Sequence, residues 1–201
     1  EGTGPVAEMT LAELRGFDAG HNFSPDGGRT RPYAGSGLRV PTLVEVLQEF
    51  PGVSVNIDMK EGRPGIEAAV LGVLQEAGAE GRALVVSSRH GAVRRFRRIS
   101  GGRISTGASR FETGVFYVLS RLRLEGLMRP AYDALQVPLR YRGIPLVTRR
   151  FVEAAHARGV RMDVWTINES SEMWRLLDLG VDVIMTDRPE TLAGVLRERE
   201  M

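Results

Sequence analysis

The chain has 201 residues, 42% of them apolar and 26% charged, which is the composition of an ordinary soluble globular domain with material for one core. It has no cysteine, which excludes disulfides, thiolate metal sites and thiol nucleophiles. A formal charge of +2 does not imply a nucleic-acid partner, and neither a membrane-length apolar run nor a signal-peptide pattern is present, so the cytoplasm is the expected compartment.

The first residue is Glu1 and residues 2–5 read Gly-Thr-Gly-Pro, a turn composition, so further chain is expected upstream. Thr10 and Glu13 stand at capping-box spacing before a short helix over 10–15. A Gly-, Pro-, Ser- and Arg-rich loop follows over about 20–39, with His21 as a solvated loop residue. Thr42 and Glu45 form a second capping box, opening a helix whose expected buried stripe is Leu43, Val46, Leu47 and Phe50 and which Pro51 and Gly52 end.

Residues 53–60 read Val-Ser-Val-Asn-Ile-Asp-Met-Lys. A period of two puts Val53, Val55, Ile57 and Met59 on one face and Ser54, Asn56, Asp58 and Lys60 on the other. Asp58 and Lys60 therefore leave the same face at the same end of one strand. Lys60 is also the one lysine among 27 basic side chains.

From here the chain alternates. A helix over 66–77 is expected to bury Ile66, Ala69, Val70, Val73 and Leu74, and 83–88 is a strand covered on its outer face. A basic helix over 91–99, a short strand at 103–106, an amphipathic helix over 112–127 and a strand over 132–138 come next. Thr148 caps a helix running to Arg158. Residues 160–166 form a strand with Arg161, Asp163 and Trp165 on one face. Ser170 or Ser171 starts the next helix, 181–186 is a strand, and Pro189 opens the last helix.

Six strands, each followed by a helix, give a parallel sheet. Polar residues near the strand C-termini (Asp58, Lys60, Ser88, Gln136, Trp165) and the lack of a Gly-x-Gly-x-x-Gly turn favour a TIM (β/α)8 barrel over an open nucleotide-binding sheet. One barrel domain over 1–201 is the expectation, with about six of eight strand-helix units present and the first two upstream.

Five segments then carry a resemblance: Pro-Thr-Leu-Val-Glu-Val-Leu at 41–47, Asn-Ile-Asp-Met-Lys at 56–60, Ala-Leu-Gln-Val-Pro at 134–138, Val-Trp-Thr-Ile-Asn at 164–168, and Leu-Gly-Val-Asp-Val-Ile-Met-Thr-Asp-Arg-Pro at 179–189. In order and spacing the chain resembles the glycerophosphodiester phosphodiesterase family. The resemblance implies a barrel hydrolase that cleaves a glycerophosphodiester to glycerol 3-phosphate and an alcohol with a divalent cation, calcium or magnesium. By position it makes Asp58 a metal ligand, where the family commonly has Glu, and Lys60 the phosphate contact. Trp165 would line the glycerol pocket, and Gln136 and Ser88 would donate hydrogen bonds to substrate.

The same resemblance places the acid and base histidines, and two further metal carboxylates, upstream of Glu1. His21, His90 and His156 do not replace them, so little catalysis is expected from this chain alone. Asp187 is expected to fix the turn into the last helix, and a plain Asp58–Lys60 salt bridge is the structural alternative at 58–60. Two other readings stand beside the enzyme: a non-catalytic barrel, and a nucleic-acid-binding module through the six arginines of 89–103. The helix at 112–127, with Val115, Phe116, Leu119, Leu122, Arg121 and Arg123, reads as ordinary barrel packing, with a lipid-facing lip as the alternative.

Overall fold

The structure, a computed structural model, describes residues 2–60 and 63–200. The chain, expected as one domain, divides into two compact units, Glu1–Gly52 and Val53–Met201.

The first unit holds helices α1 (Leu11–Gly16) and α2 (Leu43–Glu49). Both capping boxes form: Thr10 N and Thr42 N each donate to the carboxylate three residues on at 2.7 Å, and the Glu13 and Glu45 amides donate back to the threonine hydroxyls at 3.3 Å. Arg15 pairs with Glu45, joining the two helices. The Asp18 carboxylate accepts from the Gly20 and Gly35 amides at 2.9 and 2.7 Å, which closes the loop between them. Of the stripe expected on α2, Leu47 alone is fully buried, and Phe50 is 53% exposed. The reason is local: Phe50 is the C-cap, with φ −120° and ψ 65°, so its ring has left the helical stripe.

The second unit is built on parallel strands β1 (Val55–Asp58), β2 (Ala83–Val86), β3 (Ser105–Thr106) and β4 (Ala134–Pro138), followed by a hairpin of β5 (Arg140–Tyr141) and β6 (Ile144–Pro145), then β7 (Arg161–Trp165) and β8 (Val183–Ile184). The crossover helices are α3 (Ile66–Glu76), α4 (His90–Ser100), α5 (Arg110–Arg121), α6 (Arg149–His156) and α7 (Ser170–Asp178), and α8 (Pro189–Glu200) follows β8. One parallel ladder runs β1-β2-β3 and another β4-β7-β8. A bridge between Gly107 and Ala134 joins them into a run of six. Glycine is required there, because a Cβ on residue 107 would come within 2.6 Å of Val86 Cγ1.

Side chains show that this run is curled. Asn56 of β1 and Gln136 of β4 exchange hydrogen bonds at 3.2 and 3.4 Å. On a flat sheet those strands would lie about 14 Å apart, beyond the reach of two amides. The unit is thus an arc of six strand-helix units of a (β/α)8 barrel, with its mouth at the strand C-termini.

Between sheet and helices lies the core, in which Leu135, Val137, Met162 and Val164 pack with Phe116, Phe151, Met173 and Leu176. The strand faces alternate as the period of two requires, and β2 is buried throughout, as expected of an internal parallel strand.

Four local expectations are corrected. Glu67 is buried on α3 beside Val70 and Leu74, paired with Arg95 of α4 at 2.7 Å, whereas Ala69 is exposed. Helix α5 starts at Arg110, because Ser109 and Glu112 form a third capping box. It ends at Arg121, since Arg123 takes φ +58°, and a short 3-10 turn at Glu125–Leu127 replaces its last turn. Finally, the β5–β6 hairpin was not expected; Arg142 at φ +49° and Gly143 at φ +81° form its turn.

Candidate active site

The polar face of β1 leads directly to the mouth. Past the end of the strand, Met59 N donates to Val86 O at 2.8 Å, and the buried Ser87 hydroxyl donates to Met59 O at 2.8 Å. These two bonds hold the chain extended for two more residues and bury Met59, which turns Lys60 outward on the same side as Asp58. Lys60 Nζ donates to Asp58 Oδ2 at 2.5 Å, with the two side chains 82% and 39% exposed. An ion pair this open contributes about 0–1 kcal/mol. Stability is therefore a poor reason for the chain's one lysine. The ammonium has three donors, and Asp58 engages one.

Trp165 ends β7 beside Pro138 of β4, and at 43% exposed it is a mouth residue rather than core. Ser88 follows β2, exposed, with its carbonyl accepting from Arg110 N at 3.4 Å. Gln136 is differently placed. Its Nε2 donates to Asn56 Oδ1 at 3.2 Å and to Asp163 Oδ2 at 3.0 Å, so both amide hydrogens are engaged inside the barrel. In this geometry Gln136, expected to donate to substrate, braces β1 against β4 and β7.

Asp163 is fully buried and anchors that brace. Arg161, two residues back on the same strand face, donates Nε to Oδ1 at 2.7 Å and a second nitrogen to Oδ2 at 3.0 Å. The pair raises the Arg161 pKa, the bond to Asp163 being the main cause. The sequence placed both residues on one face; opposite charges two residues apart on a strand were the available signal for their pairing, and Asn56 had no signal beyond its face.

The histidines of this unit are engaged elsewhere. His90, first residue of α4, has Nδ1 2.9 Å from the Ser109 hydroxyl and its ring 5.2 Å from that of Phe111. Glu112, behind Ser109, is bridged by Arg97 at 2.6 Å, and Arg97 also donates to Thr106 Oγ1 and Gly107 O at 2.8 and 2.9 Å. Burial pushes the Glu112 carboxyl up, yet Arg97 and the Ser109 amide together hold it below its ordinary value. This cluster ties α4, β3 and α5 together. His156 bonds Asp182 at 2.8 Å at the end of α6, which leads into the N-terminal end of β7, away from the mouth. Asn168 Oδ1 accepts from Thr186 Oγ1 and Asp187 N at 3.0 and 2.9 Å and its amide donates to Asp187 Oδ2, so Asp187 does fix the turn after β8.

Among the described residues no three histidine, aspartate or glutamate side chains come together to hold a metal ion. Calcium takes six to eight oxygen ligands and magnesium six. Asp58 is one carboxylate, with one oxygen on Lys60. The described donor set does not fit a divalent cation on its own.

A family model for the glycerophosphoryl diester phosphodiesterase family matches residues 1–191. The probable glycerophosphodiester phosphodiesterase 2 of Mycobacterium tuberculosis is 34% identical over 173 residues, which is 82% of this chain; the chain spans 63% of that relative. The glycerophosphoryl diester phosphodiesterase domain of another M. tuberculosis protein superposes with a TM-score of 0.80 at 21% identity, over 98% of this chain and 78% of that one. An Oleispira antarctica phosphodiesterase, solved in complex with the product sn-glycerol-3-phosphate, gives 0.70 at 22% identity, over 98% and 74%. At those identities the two structures bear on the fold, which is the barrel. The match to the family model covers nearly the whole chain, and the chain belongs to the glycerophosphoryl diester phosphodiesterase family.

Proposed function

We propose that this barrel serves the hydrolysis of a glycerophosphodiester to glycerol 3-phosphate and an alcohol, and that Lys60 is its phosphate contact. The observation that carries the reading is the single lysine, held outward at the mouth by the Met59–Val86 and Ser87–Met59 bonds, with Asp58 as its one partner among the described residues. A compact ammonium there stabilises the charge that builds on phosphoryl oxygens during displacement. The product held by the Oleispira neighbour is the phosphate monoester this reading requires. Trp165 offers its exposed face as a wall for the carbon side of glycerol, and Ser88 a hydroxyl at the rim. Gln136 acts one step back, fixing Asn56 and hence β1 beneath Asp58.

A divalent cation, when bound, would neutralise charge on the phosphoryl group. Asp58 offers such an ion one oxygen, the described residues do not complete its sphere, and no step is assigned to it. Nor do His90 and His156, each bonded elsewhere, make an acid-base pair at Asp58 and Lys60.

The test is release of glycerol 3-phosphate from glycerophosphocholine by the full-length protein, wild type against Lys60→Met. Loss of one charge-stabilising donor lowers kcat by about 10²–10³-fold. An unchanged rate removes Lys60 from the reaction, and no release by the wild type leaves a non-catalytic barrel.

A further inference from the structure

Helix α5 is apolar on both of its faces. Toward the core it buries Phe116 and sets Tyr117 edge-on to Phe151 at 5.4 Å. On the opposite pole, where an outer barrel helix ordinarily shows charge, Phe111, Val118 and Leu122 are 64%, 55% and 62% exposed. With half-buried Val115 they form one stripe at helical spacing. Gly114 leaves a shallow dent in it, with nothing within 4 Å of where a Cβ would stand, lined by Phe111, Val115, Val118 and Leu119. Exposed Leu124 and Leu127 extend the surface beyond the helix. A contiguous apolar stripe left facing solvent on an otherwise packed helix marks a contact surface.

The charges around the stripe say which kind. Arg110, Arg121 and Arg123 flank it, exposed; among the described residues Arg110 and Arg121 have no salt bridge, and Arg123 acts on Glu125 only through its charge, behind the Arg150 bond. Both acids of the segment are neutralised from other helices, Glu112 by Arg97 and Glu125 by Arg150. An apolar centre with an uncompensated cationic rim disfavours a second copy, because a two-fold contact sets the same arginines against each other. The surface is also the convex pole of one helix rather than a groove for a peptide.

We propose that α5 docks this chain onto an anionic phospholipid surface, lying in its plane with Phe111, Val118 and Leu122 below the headgroups and Arg110, Arg121 and Arg123 on the phosphates. Among the described residues no helix is long and apolar enough to cross a membrane, so the contact is in-plane. The stripe starts at the barrel mouth: α5 follows the C-terminal end of β3, and the Phe111 ring lies tilted against His90 just past β2, 5.2 Å between centroids. Docking thus sets the rim of the mouth against the lipid.

Flotation with equimolar phosphatidylglycerol–phosphatidylcholine vesicles tests this, with pure phosphatidylcholine vesicles as the neutral arm and sedimentation velocity alongside. The chain is expected to float with the anionic vesicles and not with the neutral ones. Val118→Asp with Leu122→Asp, both at exposed positions and so compatible with folding, is expected to abolish flotation at an unchanged circular dichroism spectrum. Arg110→Gln with Arg121→Gln is expected to weaken it by about 30-fold. Three results overturn the proposal: no flotation with anionic vesicles, flotation untouched by the double aspartate variant, or a dimer that this variant dissociates.

Discussion

Replacing Arg161 with alanine leaves the Asp163 carboxylate, fully buried, with Gln136 as its remaining partner. An uncompensated charge in that position costs about 3–5 kcal/mol. Asp163→Asn removes the buried charge itself and leaves Arg161, whose side chain is 44% exposed and can turn to water, so the loss is that of charge-assisted hydrogen bonds, about 1–3 kcal/mol. The arginine change is therefore the more damaging of the two, although it alters the more exposed partner. The double variant is predicted to be more stable than Arg161→Ala alone, since the second change removes the charge that the first stranded. Urea unfolding followed by circular dichroism measures all four proteins through their midpoints at constant slope. If Asp163→Asn is as destabilising as Arg161→Ala, or the double variant is the least stable, the carboxylate is not the buried anchor described for the barrel interior.

The Tyr132 hydroxyl is buried with no hydrogen-bond partner among the described residues, and burial drives its pKa upward. Tyr132→Phe is predicted to raise stability by about 1 kcal/mol, read as a higher Tm, and a lower Tm contradicts it. Glu112 has a folded pKa below its ordinary 4.5, so its stabilising effect is complete above that pH and disappears as the pH falls through the lowered folded value. Acid unfolding of wild type should therefore carry a component that Glu112→Gln lacks; identical profiles would show that the pairing with Arg97 contributes nothing. Calcium or magnesium titrated calorimetrically into this chain should bind no more tightly than about 1 mM, since no three histidine, aspartate or glutamate side chains come together among the described residues, and micromolar binding would contradict that donor set.

Wherever a local signal decides the structure, the sequence was readable. Thr10–Glu13 and Thr42–Glu45 form their capping boxes because both halves of each box lie within four residues. The polar face of β1 and the alternation of strands and helices were equally plain, being periodic. Signals that depend on distant chain were not. Glu67, absent from the expected buried stripe, is buried because Arg95 reaches it from the next helix, and Gln136 meets Asn56 only because the sheet is curled. Leu122 fits an amphipathic core stripe on paper, yet the helix turns that side away from the barrel. The hairpin at 140–145 was missed because its turn uses an arginine at positive φ, a conformation that composition does not announce. Lys60 itself was legible by composition, but its outward pose depends on Ser87, which the sequence did not single out.

Because Lys60 is the one lysine, labelling with ¹³C,¹⁵N-lysine gives this chain a single lysine side-chain NMR signal. Titration of sn-glycerol 3-phosphate, with glycerol as the uncharged control, then observes the proposed contact and nothing else. A saturable shift of that signal with the phosphate ester and none with glycerol is the predicted result. A signal that stays put while the ester binds elsewhere on the chain, or does not bind, contradicts the assignment of Lys60 as the phosphate contact.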